Sequence, residues 1–193
     1  MMDDDLVVLA KNDRSAFGRL YDRYYPVVSR YCVRRLFDPT VAEDVVSDVF
    51  LTLASKLRAF VGTTETDFRR WLFRIATNAV NAHLRQSRRR RDLWETAARR
   101  RRDQRPASGT LPSEWERLDW PAVYQAILEL DERDQAILTL RYFAGFSHEE
   151  IAEVVDATPG AVRTALSRTL NRLRDKFNPA SSTDQELRTI SED

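Results

Sequence analysis

The stretch Ser147 to Phe177, SHEEIAEVVDATPGAVRTALSRTLNRLRDKF, constrains this chain more than any other. Ser147 with Glu150 is a capping box, which starts a helix at about His148. Ile151, Ala152 and Val155 give that helix an apolar side. Asp156-Ala157 breaks the pattern, and Thr158-Pro159 restarts it as an N-cap with proline at the first helical position. Many such turns carry glycine, but Asp156 tolerates the left-handed conformation better than most residues. Val162, Leu166, Leu170, Leu173 and Phe177 then recur at helical spacing. The opposite face carries Arg163, Thr164, Ser167, Arg168, Asn171 and Arg174. Guanidinium forks match guanine edges and phosphates, and small hydroxyls fit close to a DNA backbone. A short helix, a tight turn and a long second helix with that face form a helix-turn-helix suited to a major groove. The competing reading is a three-helix structural unit with a solvated basic face.

Only 5 glycines in 193 residues, with 32% charged residues, favour helices. Net charge is +1, so the placement of charge matters more than its sum. Arg85 to Arg105 holds ten Arg against three acids, while Pro106 to Val155 holds three Arg against ten acids. The single cysteine, Cys32, excludes an internal disulfide, argues against a cysteine zinc site and fits a reducing cytoplasm. The start, MMDDDLVVLAKND, is acidic with a very short apolar run, neither signal peptide nor membrane anchor. No apolar run approaches the roughly twenty residues that span a bilayer, so no membrane insertion is expected. Nothing resembles a nucleophile–base pair, a phosphate-cradling glycine loop or a metal cluster. An enzyme is therefore not expected, and neither is a cofactor or metal.

The expected fold class is all-α: two small helical domains joined by a flexible basic linker, the C-terminal one a helix-turn-helix. Residues 1–14 read as a frayed acidic lead, and 15–87 as the first domain. Phe17, Leu20, Tyr21, Tyr24, Val28 and Tyr31 predict a helix over 15–36, which Pro26 should kink or split. Asp38-Pro39 starts a second helix burying Val41, Val45, Val49, Leu53 and Leu57, with Phe50 and Phe60 flanking. After a loop at 62–66, Thr66 opens a third through Phe68, Trp71, Leu72, Ile75, Ala76, Ala79 and Leu84. Residues 88–113 read as an Arg-rich linker with quartets Arg88–Arg91 and Arg99–Arg102. The second domain, 114–177, has a helix marked by Val123, Ile127 and Leu128, then one capped by Asp131 and ended by Gly145. Residues 178–193 read as a disordered tail.

LDERDQAILTLRYFAGFSHEEIAEVVDATPGAVRTALSRTLNRLR resembles the fourth conserved region of bacterial sigma factors. AFGRLYDRYYPVVSRYCVRRLFDPTVAEDVVSDVFLTL and FRRWLFRIATNAVNAHLRQSRR resemble the second region of the same proteins. The lack of a separate middle domain resembles the small extracytoplasmic-function (ECF) group. The resemblance implies a protein that binds core RNA polymerase through the β′ clamp helices and the β flap. It further implies promoter-specific initiation, with the minus-ten element read as a single strand and the minus-thirty-five element as duplex. An anti-sigma factor is implied by the family alone. A stand-alone helix-turn-helix regulator is the first rival, and a Mg²⁺-dependent nuclease using Glu43, Asp44 and Asp48 the second.

Glu43, Asp44, Ser47 and Asp48 form an acidic face on the second helix. By themselves they are a solvated surface, and they lack the His partner or further carboxylates of a metal site. The match to the family's AED segment makes them a docking face for a basic coiled coil of core polymerase, where charge complementarity gives specificity. On the third helix, Phe68, Arg70, Trp71, Arg74, Asn78, Asn81 and Arg85 combine π faces, cations and amides, as single-strand capture requires. Phe68 and Trp71 share a face with Ile75, so core packing competes for both. His83 reads as an exposed side chain. The six polar residues of the last helix are the expected minus-thirty-five contacts, with Arg174 nearer phosphate. Ala165 stands where family members often carry a basic residue, which points to a different preferred sequence. The Arg quartets either follow the DNA backbone or are solvated; the family's connector is often acidic.

Overall fold

A computed structural model describes residues 3–98 and 120–177. Eight α-helices occur among them: α1 Asp3–Ala10, α2 Arg14–Leu36, α3 Pro39–Lys56, α4 Glu65–Ala98, α5 Trp120–Leu128, α6 Glu132–Tyr142, α7 His148–Val154 and α8 Pro159–Phe177. A single 3₁₀ turn, Leu57–Ala59, follows α3. No strand occurs among the described residues, and no helix there is long and apolar enough to cross a membrane.

The starts of these helices follow from their caps. The Asp13 carboxylate accepts from Ser15 N, and that of Asp38 accepts from Thr40 N and Val41 N just ahead of Pro39. Pro26 does not split α2, which runs unbroken from Arg14 to Leu36. Tyr24 and Val28 are buried on either side of it, while the proline faces solvent. The lead expected to fray is instead a helix, α1, because Val7 and Ala10 bury against the rest of the chain. Lys11 closes it down: its Nζ donates to Phe60 O at 2.7 Å, and Arg58 Nε donates to Lys11 O at 3.2 Å.

Leu20, Val28, Val49, Leu53, Phe68 and Leu72 make the sealed centre of the first group of helices. Cys32 lies in it, and burial pushes its thiol up to about 12. At neutral pH the group is therefore held as the unreactive thiol. Iodoacetamide should label native Cys32 at least about a hundredfold more slowly than the urea-unfolded chain. Equal rates would mean that α2 is not packed.

In the second group, Asp131 accepts from Asp134 N at 2.7 Å to start α6. Gly145 takes φ 70° beyond its end. The capping box at α7 is formed in both directions, Ser147 N donating to Glu150 Oε2 at 2.7 Å and Glu150 N to Ser147 Oγ at 3.2 Å. Asp156 turns the chain into α8 with φ 53°, the left-handed conformation expected of it. Val162 and Leu166 of α8 are buried, Leu170 and Leu173 partly so, and Phe177 is 41% exposed, so the last turn lies beyond the core. Val154, rather than Val155, completes the apolar side of α7, because the helix ends there and the chain rotates.

Two further results differ from the sequence reading. First, α4 continues to Ala98, so the quartet Arg88–Arg91 lies on a helix where a flexible linker was expected. No glycine or proline stands between Gly62 and Pro106 to stop it. The quartet Arg99–Arg102, the expected start of the second domain at 114 and the tail 178–193 lie outside the described residues. Second, the two groups are docked rather than loosely tethered, and one cluster of buried side chains runs through both. Phe73 of α4 meets Phe146 with ring centroids 4.9 Å apart, and Phe37 meets Tyr124 edge-on at 4.2 Å.

Candidate nucleic-acid interface

Val162 and Leu166 anchor α8, and the face opposite them is open to solvent. Arg163, Thr164, Ser167, Arg168, Asn171 and Arg174 are all exposed, and the first five line a shallow groove. Arg172, one turn beyond Arg168, joins the groove and was missed; its spacing would have found it. Arg168 is partly tethered, donating to the buried carboxylate of Asp134 at 3.5 Å.

The acidic face of α3 is equally open. Glu43, Asp44, Ser47 and Asp48 are exposed, while Val45, Val49 and Leu53 on the other side are sealed. Leu51, three residues past Asp48, is 69% exposed and extends this face with an apolar group that periodicity does not single out.

Along α4, Arg70, Arg74, Asn78, Asn81 and Arg85 form one edge, as steps of three and four residues dictate. Phe68 does not join it: the ring is sealed against Tyr24 and Phe60, at 5.1 and 5.7 Å. Trp71 is partly buried and stacks on Phe60 at 4.8 Å and 29°. Phe60 thus supports a surface that Phe68 only underpins. Ahead of it, Asp67 accepts from Thr63 N and Thr64 N, and Thr64 Oγ1 accepts from Asp67 N. Hydrogen bonds from Thr64 and then from Arg70 lower the Asp67 carboxyl to about 2. This cap is therefore complete above the ordinary carboxylate range and is lost only as pH falls towards about 2. Gly62 is needed in the same loop, because a Cβ there would meet the Phe60 ring at 2.2 Å.

The remaining residues of the α4 edge are not all free. Arg70 donates to Glu153 at 2.6 Å and to Asp67. Arg74 Nε donates to Glu153 O at 3.1 Å, and Arg85 reaches Glu132 at 3.5 Å. Asn81 accepts from Arg35 Nη2 at 2.7 Å, whereas Asn78 is exposed. His83 is half-buried, 3.1 Å from Ser87 Oγ, rather than exposed. Arg35 is 1% exposed and was missed altogether. Its place four residues after Tyr31 puts a cation on the apolar face of α2, where no local pattern foretells a role.

An open helix-turn-helix face on α8, an exposed acidic face on α3 and a basic edge on α4 are the charged surfaces that this all-helical fold presents. A family model described as sigma-70 region 2 matches residues 20–90, and one described as sigma-70 region 4 matches residues 121–173. The ECF RNA polymerase sigma factor BldN of Streptomyces coelicolor is 32% identical over 163 residues, covering 83% of this chain and 60% of BldN. The ECF RNA polymerase sigma-E factor of Haemophilus influenzae is 29% identical over 179 residues, covering 88% of this chain and 91% of that protein. Among solved structures, CnrH in complex with the cytosolic domain of CnrY superposes with a TM-score of 0.65 at 25% identity, covering 92% of this chain and 97% of CnrH. The sigma factor RpoE of Bartonella quintana shares the fold, with a TM-score of 0.65 at 21% identity, over 83% of this chain and 96% of its own. The chain belongs to the sigma-70 family of RNA polymerase sigma factors, in its ECF group.

Proposed function

We propose that this chain binds core RNA polymerase and directs promoter-specific transcription initiation, reading the minus-ten element as a single strand and the minus-thirty-five element as duplex. One observation carries the reading: the face of α8 bearing Arg163 and Ser167 stays open although the two halves are docked. A helix-turn-helix that had become structural would have buried it. A stand-alone regulator accounts for α8 but leaves the match of residues 20–90 to region 2 without a purpose.

In this reading residues 15–87 and 114–177 are the two working units. Glu43, Asp44, Ser47 and Asp48 dock on the β′ clamp helices, with Leu51 adding apolar contact. Trp71, Arg70, Arg74, Asn78, Asn81 and Arg85 hold the melted strand over a floor of Phe60 and Phe68. Arg163, Thr164, Ser167, Arg168 and Asn171 face base edges, and Arg174 faces phosphate. The protein makes no bonds itself and acts beside polymerase in the cytoplasm. An anti-sigma factor is the further partner of this reading, and the structure of CnrH in complex with the cytosolic domain of CnrY supports a protein partner of that kind here.

The reading is tested on the polymerase complex by selecting promoters from a randomised pool. Arg163→Ala should relax preference at one upstream base by about 1–3 kcal/mol, or roughly five- to 150-fold. Uniform weakening across sequences would assign Arg163 to phosphate, and an unchanged profile would remove it from the interface.

A further inference from the structure

Arg35 of α2 is 1% exposed and reaches α4 with no carboxylate among its hydrogen-bond partners in the described residues. Its Nη1 donates to Tyr31 Oη at 3.1 Å, and that oxygen shares a 2.8 Å hydrogen bond with Thr77 Oγ1 on α4. Its Nη2 donates to Asn81 Oδ1 at 2.7 Å and to Glu132 O at 3.1 Å. Nε is buried and finds no acceptor among the described residues. Sealing a cation on neutral partners alone is costly, and an apolar side chain of similar volume often packs such a place as well or better. Packing therefore does not account for Arg35. What the network does accomplish is to fix Asn81, one turn beyond Thr77. A guanidinium has five N–H donors and no acceptor, so the Asn81 atom that meets it can only be the carbonyl oxygen. The amide nitrogen is then turned away from Arg35, on a side chain that is partly exposed.

We propose that Arg35 is a positioning residue for strand reading: it holds the Asn81 carbonyl inward, so that Asn81 meets the minus-ten strand as a hydrogen-bond donor only and selects a keto base, thymine or guanine, at one position. The inference rests on the reading of α4 as the strand-binding edge. An unconstrained Asn reads adenine through N6 and N7, accepting from one and donating to the other. With Oδ1 taken, that pairing is lost, and a pure donor suits O4 of thymine or O6 of guanine instead. Tyr31, Thr77 and Asn81 all belong to the first group of helices, so the constraint does not depend on the second.

The test titrates core polymerase carrying the full chain with single-stranded minus-ten oligonucleotides that differ by one base at each position in turn. The wild type should bind a keto base roughly three- to tenfold more tightly than an amino base at one position. Asn81→Asp keeps the bond to Arg35 but offers only an acceptor, so that position should come to prefer adenine or cytosine. Arg35→Met lets the amide rotate, and the keto preference should fall to within about twofold, whereas Arg35→Lys still only donates and should keep it. An unchanged order of preference in Asn81→Asp would overturn the proposal, as would full keto discrimination in Arg35→Met or a uniform loss across all four bases in both. Should Arg35→Met fail to fold, Asn81→Asp decides alone, because Asn81 lies at the edge of the core. A wild-type holoenzyme indifferent to the base at every position would overturn strand reading by α4 itself, a separate failure that is visible before any variant is made.

Discussion

Reversing Asp44 and Asp48 together, as Asp44→Lys/Asp48→Lys, should lower affinity for core polymerase by at least about a hundredfold, since like charges brought face to face cost several kcal/mol. The two carboxylates stand one turn apart on α3, both exposed, on the side away from the sealed Val45, Val49 and Leu53. Nothing in the core changes when they do, so circular dichroism and thermal melting should match the wild type. A pull-down or anisotropy titration against purified core enzyme gives the result directly. Unchanged affinity with an intact fold would leave the acidic face as solvated surface and place the polymerase contact elsewhere.

Phe146→Ala should cost about 3–5 kcal/mol, the range for emptying a sealed aromatic site. The ring is fully buried, packs on Phe73 across the two halves at 4.9 Å and lies 4.1 Å beneath the Arg69 guanidinium. Its loss leaves a cavity in both halves at once. Against a usual total of about 5–15 kcal/mol, such a loss is a large share of what holds a domain folded. Phe177→Ala is the contrast: that ring is 41% exposed, and its removal should stay within about 0.5 kcal/mol. Urea unfolding of the three proteins separates these cases. A loss below about 1 kcal/mol at Phe146 would mean that the halves do not share a core in solution.

How much of this could be read from residue order depends on whether a feature is local. The caps at Asp38, Asp131 and Ser147 and the left-handed turn at Asp156 are settled by neighbours within four positions, and each was legible. So were the two open faces, because helical periodicity sorts Val162 and Leu166 from Arg163 and Ser167, and Val45 and Val49 from Asp44 and Asp48. Helix α1 was not legible: only Val7 and Ala10 report it, too few to show a period. Pro26 does not split α2, because packing on both sides of it outweighs a single missing backbone donor. The docking of the halves is the largest omission. It depends on pairs such as Arg35–Glu132 and Arg70–Glu153, 97 and 83 residues apart, which no spacing rule connects. For the same reason Arg70 and Arg74 could be assigned to a basic edge but not seen to be engaged already.

In the proposed function, one module grips polymerase and an unpaired strand while the other reads paired bases. Run-off transcription with purified core polymerase on a pool of genomic fragments tests it most directly. Adding the chain should produce transcripts from discrete start sites that core polymerase alone does not use. Specific binding of the chain to duplex DNA without polymerase, together with no new transcript from any fragment, would contradict it.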